Sequence, residues 1–77
     1  MNYQGKILLA ALDIARNDSQ RGYEFYYNNG DLILIPITNR EATGGGYRMW
    51  SKLRVSNDKI TGDEGFSSEL EKRAEEL

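Results

Sequence analysis

The dipeptide Asn29-Gly30 constrains the fold of this chain more than any other feature of its sequence. A two-residue type I′ turn needs positive φ at both central residues, and asparagine followed by glycine meets that need best. Strand-forming residues flank the dipeptide on both sides, so we predict a β-hairpin over residues 23–38. The turn also fixes the register of the two strands. The expected cross-strand pairs are Asn28–Asp31, Tyr27–Leu32, Tyr26–Ile33 and Phe25–Leu34.

Both faces of the predicted hairpin are largely apolar. Side chains alternate along a strand, so one face carries Tyr23, Phe25, Tyr27, Leu32 and Leu34, and the other carries Glu24, Tyr26, Ile33, Ile35 and Ile37. Two interpretations stay open. In the first, the second strand is central and is covered on both sides, by helices or by a second subunit. In the second, one face is an exposed apolar patch for a partner, or the interface of a homodimer.

Aromatic residues concentrate in the first strand of the hairpin. Tyrosine is amphipathic and favoured at interfaces, which makes Tyr26 a candidate partner-binding residue. Tyrosine also forms strands readily, and the alternation favours packing of the cluster formed by Tyr23, Phe25, Tyr26 and Tyr27 in the core and across strands. Pro36 in the second strand has no N–H group, so pairing on that side is expected to end or bulge there.

Two helices are predicted, one near each end of the chain. Over residues 4–17 apolar residues recur with the helical period, and Asn2 is placed to cap the first turn. Over residues 68–77 the spacing of Ser68 and Glu71 is that of a capping box, which indicates where the last helix begins. The apolar face of the first helix is Ile7, Leu8, Ala11, Leu12, Ile14 and Ala15, and that of the last is Phe66, Leu70, Ala74 and Leu77.

Residues 47–55 alternate in the manner of a third strand. The predicted core face is Tyr47, Met49, Ser51, Leu53 and Val55, and the outward face, here called the basic strip, is Arg48, Trp50, Lys52 and Arg54. A tryptophan that stacks and cations that contact phosphate or carboxylate would make the strip a binding surface. The alternative is a solvated strand face whose cations pair with Glu24 or with the acidic last helix. A short return strand at residues 59–61 would put Ile60 opposite Val55.

Residues 39–46 connect the hairpin to this strand and end in Gly44, Gly45 and Gly46. A phosphate-binding loop needs a following Lys-Ser/Thr pair and a strand-to-helix context. These glycines lead into a strand instead, so we interpret the segment as a flexible connector. The alternative is a loop that orders against a partner, which makes the three glycines candidate partner-binding residues.

These elements predict a single α+β domain over residues 1–77, in the order α-β-β-β-(β)-α. The expected architecture is an antiparallel sheet with a long N-terminal helix and a short C-terminal helix on one or both faces. Double-stranded-RNA-binding domains share this order of elements. The resemblance is limited to this order, because no basic cluster opens the last helix, which begins with the residues SELE. We therefore assign no family from the sequence.

The chain contains no cysteine and no histidine. Disulfides, zinc sites with thiolate or imidazole ligands, and nucleophile pairs of the Ser-His or Cys-His kind are therefore excluded. The acidic stretch around Asp58 and Asp63 does not have the spacing of a calcium-binding loop. We expect no enzyme activity, no catalytic residue, no cofactor, no metal site and no small-molecule substrate.

The longest apolar runs, ILLAAL and LILIPI, are far shorter than the roughly 20 residues that span a membrane. No basic segment followed by an apolar one opens the chain. We therefore expect a cytoplasmic protein with no membrane partner. The net charge of −2 argues against a non-specific nucleic-acid binder, although residues 40–54 carry four cations and one acid.

The excess of apolar strand surface, with no chemistry beside it, indicates a non-enzymatic protein-binding module. We expect a small accessory protein, regulator or inhibitor, of the size that phages and mobile elements often encode, whose partner is another protein. The alternative is a nucleic-acid-binding domain that uses the basic strip on a sheet face. The candidate partner-binding residues are Tyr26, Gly44, Gly45, Gly46, Arg48, Trp50, Lys52 and Arg54.

Overall fold

The computed structural model describes residues 2–38 and 52–77 of the chain. These residues form α1 (Tyr3–Asn17), β1 (Arg21–Asn28), β2 (Asp31–Thr38), β3 (Leu53–Val55), β4 (Ile60–Thr61) and α2 (Glu64–Glu76). The strands pair antiparallel into one open sheet in the order β1-β2-β3-β4. The predicted α+β class and the predicted order of elements are confirmed.

The β1–β2 hairpin turns at Asn29 and Gly30, whose φ angles are 53° and 86°. Both angles are positive, as a type I′ turn requires. The four predicted pairs beside the turn all form, and the ladder continues as far as Arg21 opposite Thr38. The chemistry of two turn residues therefore sets the register of the whole hairpin.

β2 is an interior strand of the sheet, with β1 on one side and β3 on the other. Leu34 pairs with Leu53, and Leu32 pairs with Val55. All four side chains are fully buried, which confirms the predicted core face of the third strand for Leu53 and Val55.

The remaining strand predictions concern the ends of this ladder. In the register of β2 with β3, Pro36 would lie opposite residue 51, which is outside the described residues, so the expected end or bulge of pairing at Pro36 stays a prediction. Val55 lies opposite Ile60, so the predicted return strand is confirmed as β4. Residues 47–51 of the predicted third strand lie outside the described residues.

α1 begins as predicted, because the side-chain oxygen of Asn2 accepts a hydrogen bond from the Gly5 N–H at 2.7 Å. Its fully or almost fully buried apolar residues are Ile7, Ala10, Ala11 and Ile14. The predicted apolar face was too wide on one side, since Leu12 is 43% exposed. Leu12 lies at the margin of the predicted helical arc.

α2 begins at Glu64, one turn before the predicted start at Ser68, so that prediction was wrong. Asp63 is the N-cap residue, and its carboxylate accepts a hydrogen bond from the Phe66 N–H at 3.1 Å. A carboxylate at the first turn also interacts favourably with the positive end of the helix dipole. Ser68 therefore lies inside the helix, where its spacing to Glu71 has no capping role.

Gly62 makes the sharp entry from β4 into α2 with a φ angle of 124°. A Cβ atom at this position would lie 2.7 Å from the Lys52 carbonyl oxygen and 2.8 Å from a methyl group of Leu53. Glycine is required here for both reasons: the backbone angle and the close approach of β3.

The predicted apolar stripe of α2 is confirmed over most of its length. Leu70 is fully buried, and Phe66 and Ala74 pack against the core. Leu77 is exposed, contrary to the prediction, because it follows the last helical residue.

Both helices lie on the same face of the sheet and share one core with it. α1 packs against β1 and α2, and α2 in turn contacts β4. Within the described residues, no helix covers the other face. The core residues are Ile7, Ala10, Ala11, Ile14, Leu32, Leu34, Leu53, Val55 and Leu70.

Gln4 is a buried polar residue at the start of α1. Its side-chain Nε2 donates hydrogen bonds to the carbonyl oxygens of Gly30 at 2.8 Å and Val55 at 2.9 Å. One amide group therefore ties the helix to the hairpin turn and to β3. The sequence did not predict this contact, because Gly30 and Val55 are far from Gln4 along the chain.

Candidate protein-interaction surface

β1 is an edge strand of the sheet: β2 pairs with one side of it, and no described strand pairs with the other. In a two-residue hairpin, the pair next to the turn exchanges both backbone hydrogen bonds, and bonded pairs then alternate along the ladder. The even-numbered residues of β1 therefore bond to β2, whereas Tyr23, Phe25 and Tyr27 direct their N–H and C=O groups away from it. Arg21 follows the same alternation, since its N–H donates to the Asp18 carbonyl oxygen at 3.0 Å.

Three consecutive aromatic side chains of this edge strand are exposed: Phe25 at 46%, Tyr26 at 42% and Tyr27 at 57%. The prediction that the aromatic cluster packs in the core is therefore wrong for these three residues. It is right for Tyr23, which is half-buried and packs against the core. The cross-strand neighbours of Phe25 and Tyr27 on β2 are fully buried, so the difference comes from the edge position of β1.

One flank of α1 extends this apolar region. α2 lies along the opposite flank, where the Tyr3 hydroxyl donates to Glu71 Oε2 at 3.1 Å and Arg73 Nη1 donates to Asp13 Oδ2 at 2.7 Å. Because α1 packs on β1 and α2 lies toward β4, the flank that carries Leu12 faces the β1 side of the sheet. We call Leu12, Phe25, Tyr26 and Tyr27 the edge surface.

The face of the sheet away from the helices carries the described part of the basic strip. Lys52 and Arg54 are exposed there, as predicted. Lys52 Nζ lies 5.8 Å from the centre of the Tyr26 ring, in cation–π geometry. Arg54 Nη1 lies 2.9 Å from Asp31 Oδ2. Neither cation is near α2, which lies on the other face, so the alternative in which the acidic last helix neutralises them is wrong for these two residues.

Ile33 occupies the middle of this second face and is 1% exposed. It lies in a cross-strand row between Tyr26 on β1 and Arg54 on β3. The second face therefore has a buried centre flanked by an aromatic ring and a cation, rather than the open apolar patch that was one of the two interpretations.

Five predicted partner-binding residues lie outside the described residues. They are Gly44, Gly45, Gly46, Arg48 and Trp50. Their roles stay predictions. Of the residues predicted from the sequence, the structure brings together Tyr26, Lys52 and Arg54.

Sequence reasoning missed Phe25, Tyr27 and Leu12 as exposed residues. Their apolar side chains fall on the predicted core faces of β1 and α1, and local alternation carries no signal for the edge of a sheet.

A polar cluster fixes the start of β1 against α2. The Arg21 guanidinium donates to both carboxylate oxygens of Glu69 at 2.7 Å and lies over the Phe66 ring at 5.6 Å. These hydrogen bonds lower the pKa of Glu69 below its ordinary value. Burial, with the Glu69 charge nearby, raises the pKa of Tyr23 to about 12, so its hydroxyl stays neutral at physiological pH. The start of β1 is therefore held against α2 by contacts within the chain.

Among the described residues, no group of three or more acidic, cysteine or histidine side chains is arranged to hold a metal ion. A depression between the helices is lined by Tyr3, Lys6, Glu71, Ala74 and Glu75, and the Tyr3 hydroxyl donates to Glu71 Oε2 there. No described helix has both the length and the apolar character needed to cross a bilayer.

No protein-family description, curated protein or solved structure matches this chain.

Proposed function

We propose that this chain is a non-enzymatic protein-binding module whose partner adds a strand to the outer edge of β1, with which no described strand pairs. The observation that carries the proposal is that β1 has both outward-facing backbone groups and three exposed aromatic side chains. Such a strand supplies both parts of β-strand addition: main-chain hydrogen bonds for affinity and alternating side-chain contacts for specificity.

The edge surface is a recognition surface rather than a protected edge. Natural sheets block an exposed edge with charged residues, proline or a bulge. Between Tyr23 and Tyr27 the only charged residue is Glu24, and its backbone groups face β2. Tyrosine and phenylalanine supply large contact areas with few rotatable bonds, which suits them to interfaces.

The biological role that suits this surface is that of a small cytoplasmic accessory or regulatory protein, or an inhibitor, of the phage or mobile-element type. A small non-enzymatic module would act by occupying a site on another protein. Binding through a strand edge would let it do so without rearrangement of its core.

Hydrogen–deuterium exchange provides the direct test, because the two sides of β1 differ. In the free protein, the outward amides of Phe25 and Tyr27 should exchange fast, whereas the amide of Tyr26, which bonds to β2, should be protected. A bound partner should protect the outward amides and leave the others unchanged. Protection confined to the backbone amides of Lys52 and Arg54, with none at Phe25 and Tyr27, would contradict the proposal.

Two matched variants complete the test. Phe25→Lys places a charge on the edge surface and should abolish binding of a candidate partner. Leu9→Lys changes a residue that is 42% exposed and lines a depression beside α2 with Ala74 and Glu75, and it should leave binding intact. Equal loss in both variants would indicate unfolding or a different surface.

Nucleic-acid binding is a second candidate, supported by the exposure of Lys52 and Arg54 on the helix-free face. It predicts a mobility shift with single-stranded or double-stranded probes at low salt that weakens as salt rises. A Lys52→Gln/Arg54→Gln double variant should reduce that shift, and no shift at low salt would exclude this candidate.

A further inference from the structure

We infer that the partner of the β1 edge is a second copy of this chain, paired antiparallel through β1 about a two-fold axis that passes beside Phe25. The inference rests on the proposed function, since it takes β1 as the binding edge. The homodimer would join two sheets into one continuous sheet, with the helices of both copies on the same side.

The hydrogen-bonding pattern restricts the registers that two copies can adopt. Symmetric antiparallel pairing must oppose residues whose backbone groups both point outward. Along β1 these are the odd-numbered residues, because the even-numbered ones bond to β2. A register that paired all eight residues of Arg21–Asn28 would oppose odd-numbered with even-numbered residues, so it is not allowed. Two allowed registers pair seven of the eight residues, one centred on Glu24 and the other on Phe25.

One observation selects the register centred on Phe25. The register centred on Glu24 would use the outward N–H of Arg21, which already donates to the Asp18 carbonyl oxygen at 3.0 Å. The register centred on Phe25 uses only the outward groups of Tyr23, Phe25 and Tyr27, and these pair symmetrically among themselves.

The side chains complement one another in this register. On the helix side, Phe25 meets its own copy and Tyr27 meets Tyr23 of the second copy, which gives aromatic pairs along the whole contact. Leu12 of each copy lies on the flank of α1 that faces the axis. On the other face, Tyr26 lies opposite Glu24 of the second copy.

The exposed area predicts a weak dimer. An aromatic side chain carries about 150–250 Å² of surface, and roughly half of that is exposed on each of three residues. The apolar contribution is therefore on the order of 300 Å² per copy, against about 800 Å² of total surface per partner in a stable complex. We expect dimerisation to depend on concentration in the micromolar range or above.

Sedimentation equilibrium over a concentration series tests the dimer. The full chain should shift from monomer to dimer as its concentration rises. The Phe25→Lys variant should stay monomeric across the series, and the Leu9→Lys variant should behave as the parent chain. Circular dichroism of each variant checks that the fold is retained. A dimer that persists in the Phe25→Lys variant would overturn the inference.

Disulfide trapping tests the register, because the chain has no cysteine of its own. Paired residues at the axis have Cα atoms about 5.5 Å apart, within disulfide range. Phe25→Cys should therefore cross-link rapidly under mild oxidation. Glu24→Cys and Tyr26→Cys should react slowly, since each lies opposite a different residue. Faster cross-linking at position 24 or 26 would overturn the proposed register.

The failure of this inference is distinguishable from that of the proposed function. A chain that stays monomeric at all concentrations is not its own partner, and the inference fails. The proposed function survives that result if another protein protects the outward β1 amides at constant chain concentration. It fails as well if the bound partner leaves those amides unprotected.

Discussion

Replacing Gln4 with methionine should destabilise the domain by about 2 kcal/mol. The change keeps the length of the side chain and removes both hydrogen bonds from its Nε2 atom, to Gly30 and to Val55. The Val55 carbonyl is buried, but by the alternation of the ladder it keeps the hydrogen bond from the Leu32 N–H, so what is lost there is one net hydrogen bond, worth about 1 kcal/mol. The part-buried bond to the Gly30 carbonyl contributes a second net hydrogen bond of similar size, which gives the total of about 2 kcal/mol.

The measurement is urea denaturation followed by far-UV circular dichroism, with thermal melting alongside. For a domain of this size, 2 kcal/mol corresponds to a fall in Tm of roughly 8–16 °C. Lys6→Met is the matched control, because Lys6 is exposed on the same helix, and should change stability by less than about 0.5 kcal/mol. A Gln4→Met effect as small as that of the control would refute the assigned role of the amide.

The Gln4→Glu variant tests the same contacts through the pH dependence of its stability. The new carboxyl group faces two carbonyl oxygens, which repel its charged form, so the pKa of the folded state should rise above the unfolded value of about 4.3. The variant should therefore be most stable below that value and lose stability as pH rises toward the folded pKa. A stability difference from the parent chain that does not vary between pH 3 and pH 8 would contradict the geometry.

The remaining predictions concern the start of α2 and its contact with β1. Gly62→Ala should cost about 1–3 kcal/mol in unfolding free energy, because of the positive φ angle and the contact with the Lys52 carbonyl. Asp63→Ala should cost about 1 kcal/mol, whereas Ser68→Ala should be nearly neutral; the opposite ranking would restore the capping box as the helix start. Glu69→Gln should be less stable than the parent chain above pH 5. The lowered pKa of Glu69 means that its ion pair with Arg21 contributes above the ordinary value of 4.5 and is lost as pH falls through the folded pKa, so the difference in denaturation midpoint should shrink in acid.

Local rules predicted the hairpin and the first helix closely. The turn at Asn29 and Gly30 determines its own backbone geometry and the register of its neighbours, so no distant residue was needed. The cap at Asn2 likewise depends only on the residue three positions along the chain. The order of elements followed from these local signals in sequence.

The start of α2 shows where a local rule was insufficient. The sequence prediction used the capping-box spacing of Ser68 and Glu71, whereas the residue that caps the helix is Asp63, five residues earlier. The choice depended on Gly62, which can approach the Lys52 carbonyl closely enough to turn the chain directly from β4 into the helix. That approach exists only after β3 and β4 have paired.

In the candidate site, too, the sequence predicted some residues and not others. The sequence identified Tyr26, Lys52 and Arg54 as exposed or partner-binding residues, because alternation along a strand assigns faces. It could not predict the exposure of Phe25, Tyr27 and Leu12, whose pattern is that of core residues.

The sequence by itself determined which residues share a face, since the periods of strand and helix and the turn at Asn29-Gly30 are local properties of the backbone. Only the tertiary structure decided which of those faces are buried. Burial depends on the position of a strand within its sheet and on the side to which the helices pack. β1 is at the edge of the sheet, and α1 covers it only in part. On the face toward the helices, the β2 residues Leu32 and Leu34 are therefore buried, whereas their neighbours Phe25 and Tyr27 on β1 are exposed.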